Sequence, residues 1–348
     1  MHTSSRQTAL ADRTACIAPA PRIVPRWRIL TNSTMWQSEA WTKAICNVLT
    51  DDEIFSRRPP PAEWKIAWRL FRRRSDADVV LVQGPAAFFY GLLDRLVPWR
   101  RRPWMAREVF IPEPNLASPV WRLKRAARRF VFRRMKVMDV AARGERKTCA
   151  EYFALPEDRF RFVPFHTNVR QPRYCDESLY GLAAGRSGRD YRTLFDAVRG
   201  LDYRFVVVAT RADVAGCDVP GNVELHCDVP RDEYLKLLER AAFVVVPLHP
   251  QARSTGQVVV LEAYAYGKPV VATRTLGVVD YVRQCETGLF CESHDAQDMR
   301  RAILTMIESP DERAAWGRAA LDWVRQEFTF DAYVQRLFEL LAAAEPSR

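Results

Sequence analysis

The stretch Ser254-Thr255-Gly256-Gln257-Val258-Val259-Val260-Leu261-Glu262-Ala263-Tyr264-Ala265-Tyr266-Gly267-Lys268-Pro269-Val270 sets one carboxylate in a run of apolar and small residues. Read as a helix, it places Val258, Val259, Ala265 and Tyr266 three and four positions from Glu262, so the carboxylate does not lie on a solvated face. An ionised carboxylate held among such neighbours is costly unless something satisfies it. No Lys or Arg stands at helical spacing to do so; a ligand with hydroxyl donors would. Ser254-Thr255-Gly256-Gln257 supplies capping residues and a glycine where the helix begins, and a helix start offers free backbone N–H groups to an anion such as a diphosphate. Helical side chains lean toward the N-terminus, so Glu262 reaches a group beside that anion. Diphosphate on the helix start and a ribose diol on the glutamate describe a nucleotide-sugar pocket.

These residues resemble the signature segment of retaining glycosyltransferases of family 4. That family reads Glu-x7-Glu followed by Ala-x-Ala-x-Gly-Lys-Pro-Val; here Glu262 is the second glutamate and Ala263-Tyr264-Ala265-Tyr266-Gly267-Lys268-Pro269-Val270 follows. Ser254 stands where the first glutamate would be, and Ser-x-Gly-Gln is similar to a variant branch of the family. The resemblance implies an α/β chain of the GT-B fold, with two Rossmann-like domains, a cleft between them and a C-terminal helix returning to the first domain. It also implies transfer with retention, no metal and no cofactor beyond the nucleotide-sugar substrate.

The remaining sequence divides accordingly. A chain of 348 residues accommodates two domains of ordinary size, and 48% apolar with 27% charged residues is the composition of a soluble globular protein. Eight cysteines are scattered without a Cys-x-x-Cys pair, and the histidines form no cluster in sequence, which argues against a metal site and for reduced thiols in the cytoplasm. Val79–Leu93, the longest uncharged run, falls short of the ~20 residues of a spanning helix. Met1–Pro25 lacks the pattern of a signal peptide and reads as a loose tail. Residues 1–170 hold 32 Lys+Arg against 16 Asp+Glu, while residues 171–348 hold 21 against 26. The expected organisation is a tail over 1–25, a basic acceptor domain over 26–168, a nucleotide-sugar domain over 171–329, and a C-terminal helix and tail over 330–348.

In the second half, continuous apolar runs alternate with helical segments. Strands are expected at Leu179–Ala183, Arg204–Ala209, Val223–His226, Phe243–Leu248, Pro269–Thr273 and Gly288–Cys291, with a helix at Asp232–Ala242 and a short helix holding Tyr281. The first half repeats the arrangement more loosely. Its expected strands are Arg28–Leu30, Val79–Val82, Ala106–Ile111, Lys136–Ala141 and Phe160–Pro164, and its helices Glu39–Leu49, Ala62–Arg73, Ala86–Leu96 and Ala117–Arg134. Ligands of such parallel sheets bind beyond the C-terminal strand edges.

Gly185-Arg186-Ser187-Gly188-Arg189-Asp190, between a strand and a helix, resembles the family's phosphate-binding loop. Arg186 and Arg189 would offset charge that grows on a leaving nucleoside diphosphate. Arg186, Arg189 and Glu262 are thus the candidate catalytic residues. Gly185, Thr210, Val229, Ser254, Thr255, Gly256, Gln257 and Val258 are the candidate donor-binding residues beside Glu262. His166 and His249 fall on loops expected to face the cleft, and Glu108 and Glu113 are weaker candidates near an acceptor. Ser293-His294-Asp295 is no triad, because adjacent residues cannot form the required relay.

Arg122, Lys124, Arg125, Arg128, Arg129, Arg133 and Arg134 crowd one expected helix, whose apolar positions Leu116, Val120, Leu123, Ala127, Phe130 and Val131 would pack on the domain. With Trp99-Arg100-Arg101-Arg102-Pro103-Trp104 beside them, they suggest an anionic surface. No helix-turn-helix, zinc finger or RNA-binding aromatic motif accompanies this charge, so nucleic acid is set aside in favour of anionic membrane or a lipid-linked acceptor. The expected partners are a UDP- or GDP-linked sugar and a saccharide or lipid-linked acceptor, in the cytoplasm or on the inner face of its membrane. A non-catalytic sugar-nucleotide-binding or scaffold component of polysaccharide assembly is the rival, since Ser254 replaces a glutamate.

Overall fold

The computed structural model describes residues 28–33, 39–50, 61–97, 99, 102–112, 115, 117–176 and 178–343. Met1–Pro25, Arg100, Arg101, Glu113 and Leu116 lie outside them.

Two six-stranded parallel sheets form the core. The first contains β1 (Ile29–Thr31), β2 (Ile45–Asn47), β3 (Val79–Gln83), β4 (Trp104–Arg107), β5 (Val137–Val140) and β6 (Phe160–Phe162), in the order β2-β1-β3-β4-β5-β6. The second contains β7 (Gly181–Ala184), β8 (Phe205–Ala209), β9 (Val223–Cys227), β10 (Phe243–Val246), β11 (Val270–Thr273) and β12 (Gly288–Cys291), in the order β12-β11-β10-β7-β8-β9. The central strands are buried on both faces: Val244 and Val246 of β10 enter one core and Phe243 and Val245 another. Two-sided burial is what an uninterrupted Phe-Val-Val-Val run requires, because neither alternate face can meet water.

The helices are α1 (Glu39–Ala44), α2 (Glu63–Arg73), α3 (Ala86–Leu96), α4 (Pro119–Phe132) and α5 (Glu145–Phe153) in the first half. In the second they are α6 (Tyr191–Val198), α7 (Arg231–Glu239), α8 (Gln257–Ala265), α9 (Ala296–Glu308), α10 (Pro310–Glu327) and α11 (Phe330–Ala343). As expected, α11 returns to the first sheet. Tyr333, Val334, Leu337, Phe338 and Leu341 bury themselves against Ile29, Leu81, Met105 and Val137, and Phe338 stacks on Trp41 at 5.8 Å.

Four expectations need correction. The helix predicted over Glu39–Leu49 stops at Ala44, because Ile45–Asn47 extends the sheet by pairing Ile29 with Ile45. The strand predicted at Ala106–Ile111 is Trp104–Arg107; Glu108 ends it by adopting a positive φ of 51°. Tyr281 lies in a turn, where its hydroxyl donates to Ala141 O at 2.5 Å and accepts from Phe165 N at 2.9 Å, tying the two halves. Finally, α4 is rotated from its expected orientation: Val120, Leu123 and Phe130 are exposed, whereas Val131 and Phe132 are buried. The arginines themselves cause this. Arg125 and Arg129 each donate to Glu151 O and Tyr152 O, the free carbonyls at the end of α5, and Arg128 donates to Phe110 O.

Candidate functional site

A cleft of about 610 Å³ opens where the C-terminal strand edges of the two sheets face each other. Its volume suits a small-molecule ligand. Of the candidate donor-binding and catalytic residues, Gly185, Arg186, Arg189, Val229, Ser254, Thr255, Gly256, Gln257 and Val258 line it.

On one wall the chain leaves β7 through Gly185, whose φ of 133° excludes an ordinary side chain. A Cβ there would also collide with the Arg189 guanidinium, which folds back so that Nε donates to Ala184 O at 3.0 Å and Nη1 to Ser187 O at 2.7 Å. Burial pulls the Arg189 guanidinium below its ordinary range, with nearby Tyr191, Tyr234 and Asp213 opposing. Arg189 therefore shapes the loop while remaining at the cleft wall, and the exposed Arg186 is its outward cation.

The helix start is built differently from the expected Ser/Thr cap. Gly256 is the N-cap residue at φ 95°, with no side-chain cap bond, and a Cβ there would lie 2.8 Å from Leu248 and 2.9 Å from Val278. The amides of Gln257, Val258 and Val259, in the first turn of α8, have no acceptor within the helix and belong to residues that line the cleft. Ser254 N is already taken, by Glu145 Oε1 of the first half at 2.7 Å. The other Glu145 oxygen accepts from Ala141 N at 3.0 Å and Ala142 N at 3.2 Å.

Glu262 is the main correction. It is 1% exposed and does not line the cleft, and its carboxylate is fully engaged within the protein. Oε1 accepts from Arg231 Nη2 at 2.7 Å, and Oε2 from the Tyr234 hydroxyl at 3.0 Å. The partners come from α7, so helical spacing around Glu262 could not reveal them. Arg231 and Tyr234 do line the cleft, so the glutamate stands one layer back from it. Thr210 is also outside the lining: its hydroxyl donates to Asp213 Oδ2 at 2.6 Å and caps a local turn.

The facing wall holds charge of which the sequence assigned only Glu108. Buried Arg107 reaches Glu108 Oε1 at 3.0 Å and Asp139 Oδ2 at 3.7 Å, and the Tyr333 hydroxyl lies 3.4 Å from the same Asp139 oxygen. Glu108 also accepts from Gln83 Nε2 at 2.7 Å. Asp139 Oδ1 is buried without a hydrogen-bond partner. Burial pushes the Asp139 carboxyl up to about 7, against the pull of Arg107. A carboxyl with that affinity at a cleft wall can exchange protons near neutrality. Asp139, Glu145, Arg231, Tyr234 and Tyr333 were missed. Asp139 carried a visible signal, a lone carboxylate in the Val-Met-Asp-Val run; Glu145 carried none.

His166 and His249 do not line the cleft. His166 is 7% exposed, packs between Phe165, Phe330 and Tyr333, and is pushed down to about 4 by burial.

Residues 210–323, about a third of the chain, match the family described as "Glycosyl transferases group 1". The D-inositol 3-phosphate glycosyltransferase of Pseudarthrobacter chlorophenolicus is 41% identical over 183 residues, covering 47% of this chain and 43% of that protein. Its Corynebacterium aurimucosum counterpart is 32% identical over 115 residues, covering 33% and 26% respectively. The chain thus spans less than half the length of these curated relatives. Among solved structures, Anabaena HepE in complex with UDP-glucose superposes with a TM-score of 0.66 at 13% identity, covering 91% of this chain and 100% of that one. Sucrose-phosphate synthase from Thermosynechococcus elongatus gives 0.60 at 17% identity, covering 82% and 81%. Two facing parallel sheets with a returning C-terminal helix make this the GT-B fold.

Glu262→Gln removes the charge that Arg231 and Tyr234 hold and should lower stability by about 1–3 kcal/mol in urea unfolding. An unchanged midpoint would show that the buried pair contributes nothing. For Asp139, the folded-state affinity is raised, so its stabilising effect is complete below about pH 4 and lost as pH rises toward about 7. His166, depressed to about 4, has the opposite slope up to its ordinary titration near 6.5. The difference in melting temperature between Asp139→Asn and wild type isolates the carboxyl and should grow from about pH 5 to about pH 8. A constant difference would mean that Asp139 titrates as an ordinary aspartate.

Proposed function

We propose that this protein is a glycosyltransferase that moves a sugar from a UDP- or GDP-linked donor to a saccharide or lipid-linked acceptor, with retention and without a metal. The observation that carries the reading is the convergence of Arg186, Arg189 and the free first-turn amides of α8 on one wall of the cleft. Those groups are suited to a diphosphate, whose charge increases as the glycosidic bond breaks. Similarity to group 1 glycosyl transferases over 210–323 supports the same wall as the donor side. HepE is a UDP-glucose complex, and a Mycobacterium tuberculosis relative, 28% identical over 91 residues, is GDP-mannose-dependent; either base is compatible with this reading.

Glu262 would meet the ribose only after Arg231 and Tyr234 give way, since both now occupy its oxygens. Glu145, bonded to the Ser254 amide, brings a carboxylate to the place where the resembled motif has its first glutamate. It is our candidate for orienting the transferred sugar. In a retaining transfer of this type, a donor phosphate oxygen takes the acceptor proton, and Asp139 stands on the acceptor side as a further proton-exchanging group. We place the reaction in polysaccharide or glycolipid assembly, in the cytoplasm or peripherally on its membrane. A non-catalytic donor-binding component is the second reading, favoured by Ser254.

The membrane part rests on fewer cations than the sequence offered. Arg125, Arg128 and Arg129 serve backbone carbonyls, and Arg134 pairs with Asp94 at 3.4 Å. Arg122, Lys124 and Arg133 remain exposed, as do Leu96, Trp99, Val120 and Leu123. Cations with exposed indole and aliphatic groups suit the headgroup layer. Among the described residues no helix is long and apolar enough to cross a membrane.

UDP or GDP should raise the melting temperature, and Arg186→Ala should lower kcat on the order of 10²-fold with a smaller change in donor affinity. Nucleotide binding without turnover would favour the non-catalytic reading, and full activity of the variant would remove Arg186 from the donor site. Sedimentation with anionic vesicles should recover the protein at low salt and release it at high salt, whereas equal binding to neutral vesicles, or none to either, would refute the membrane surface.

A further inference from the structure

The loop after β7, the loop after β10 and the turn after β12 bring together three side chains that are far apart in sequence: Asp190, His249 and His294. None of them lines the cleft. His294 Nδ1 lies 2.9 Å from Asp190 Oδ2, and His249 Nδ1 lies 3.7 Å from the same oxygen. One ligand atom from each residue falls within 4.8 Å of the other two. The two ring centroids lie 5.2 Å apart, with the ring planes tilted by 36°.

We propose that Asp190, His249 and His294 form a binding site for a divalent transition-metal ion of the zinc class, distinct from the nucleotide cleft. Two imidazoles and one carboxylate are the donor set such an ion takes, with a fourth position left for water. Metal–nitrogen and metal–oxygen bonds of about 2.0–2.2 Å in tetrahedral geometry put neighbouring ligand atoms about 3.3 Å apart. The 2.9 and 3.7 Å separations bracket that value, so small rotations of exposed imidazoles would complete the site.

The carboxylate is already fixed for the task. Asp190 is 4% exposed, and it accepts from Thr193 N at 3.1 Å through Oδ1 and from Thr193 Oγ1 at 2.7 Å through Oδ2. Such outer bonds orient ligating carboxylates in metal sites. Two imidazole nitrogens and the Thr193 hydroxyl crowd one oxygen, and His249 is left too far for a hydrogen bond. A cation shared by both nitrogens and the carboxylate resolves that crowding. His294 holds a left-handed backbone (φ 59°), a conformation that costs a side-chain-bearing residue energy and concentrates at functional positions.

The ion would act as a staple. Asp190 N donates to Pro247 O at 3.1 Å and His249 N to Gly188 O at 2.9 Å, so the two loops are already zipped along Gly188–Asp190. A metal would close this zip from the far side and fix the loop that carries Arg186 and Arg189. The binding claim does not depend on the proposed sugar transfer, because its test reads metal affinity and stability.

Chelator-treated full-length protein is titrated with zinc chloride by calorimetry and by thermal denaturation, and with cobalt(II) chloride by absorption. One equivalent should bind and raise the melting temperature. Cobalt should give a tetrahedral spectrum without thiolate charge transfer, which separates this site from the free cysteines. His249→Ala and His294→Ala, both at roughly half-exposed positions, should each weaken binding by at least about tenfold, as loss of one of three protein ligands requires. His226→Ala, at a histidine bonded instead to Glu224, should leave it unchanged. No stoichiometric binding, a thiolate spectrum, or equal affinity in wild type and both histidine variants would overturn the site.

Discussion

The ion pair between Glu262 and Arg231 decides how the second sheet presents its cleft. The carboxylate is almost completely buried, so its cost must be met inside the protein, and Arg231 and Tyr234 are the groups that meet it. Because both partners belong to α7, the bond ties α7 to α8 across the strand edges. The first turn of α8 is then held with its free amides at the cleft, and Gly256 allows the chain to enter that turn between Leu248 and Val278. Arg231 is about half exposed, so the pair has one foot in water. That makes it exchangeable in a way a fully buried pair is not: solvent or a ligand can take over Arg231, whereas only another donor can take over Glu262.

A second set of bonds joins the two halves. Glu145 accepts from amides on both sides, Arg143 N donates to Asp280 Oδ2 at 2.7 Å, and Tyr281 bridges Ala141 and Phe165. Most of these reach the segment 141–145, at the end of β5 and the start of α5. The same segment borders Asp139, so the groups that set the relation of the two sheets are neighbours of a carboxyl whose proton affinity is pushed toward neutrality. Domain position and proton affinity are therefore coupled in this wall: movement that admits water to Asp139 removes the burial that raises it.

The sheet strands were legible because two-sided burial writes itself as uninterrupted Val and Leu runs, as in β3 and β10. The cleft wall of the second sheet was legible for a related reason: turns such as Gly185 and Gly256 need glycine for their backbone, and a cation between glycines stands out. What spacing cannot carry is a partner from another element. Glu262 looked unpaired because Arg231 lies 31 residues away in sequence. Asp190, His249 and His294 looked unrelated because three different loops deliver them. The short β2 was hidden for a different reason: Ile45–Asn47 suits helix or strand equally, and the open edge of β1 decided it.

The excess of positive charge in the first half has a similar explanation. Periodicity assigns the apolar positions of α4 to the core and its arginines to solvent, yet exposed Leu123 and Val120 face outward while Arg125 and Arg129 lie along the end of α5. The last carbonyls of a helix need donors, and a guanidinium supplies several from one planar fork, at a flank where an aliphatic side chain would leave them unmet. Arg125 also lies over the Trp121 ring at 5.3 Å, which covers the guanidinium face with an apolar partner. Charge count therefore overstates the cations available to a partner, because the arginines that complete the end of α5 are engaged before any anionic surface approaches. What remains outward on α4 is a mixed strip, a few cations beside displaced aliphatic side chains, and its chemistry follows from the demand of α5 for donors.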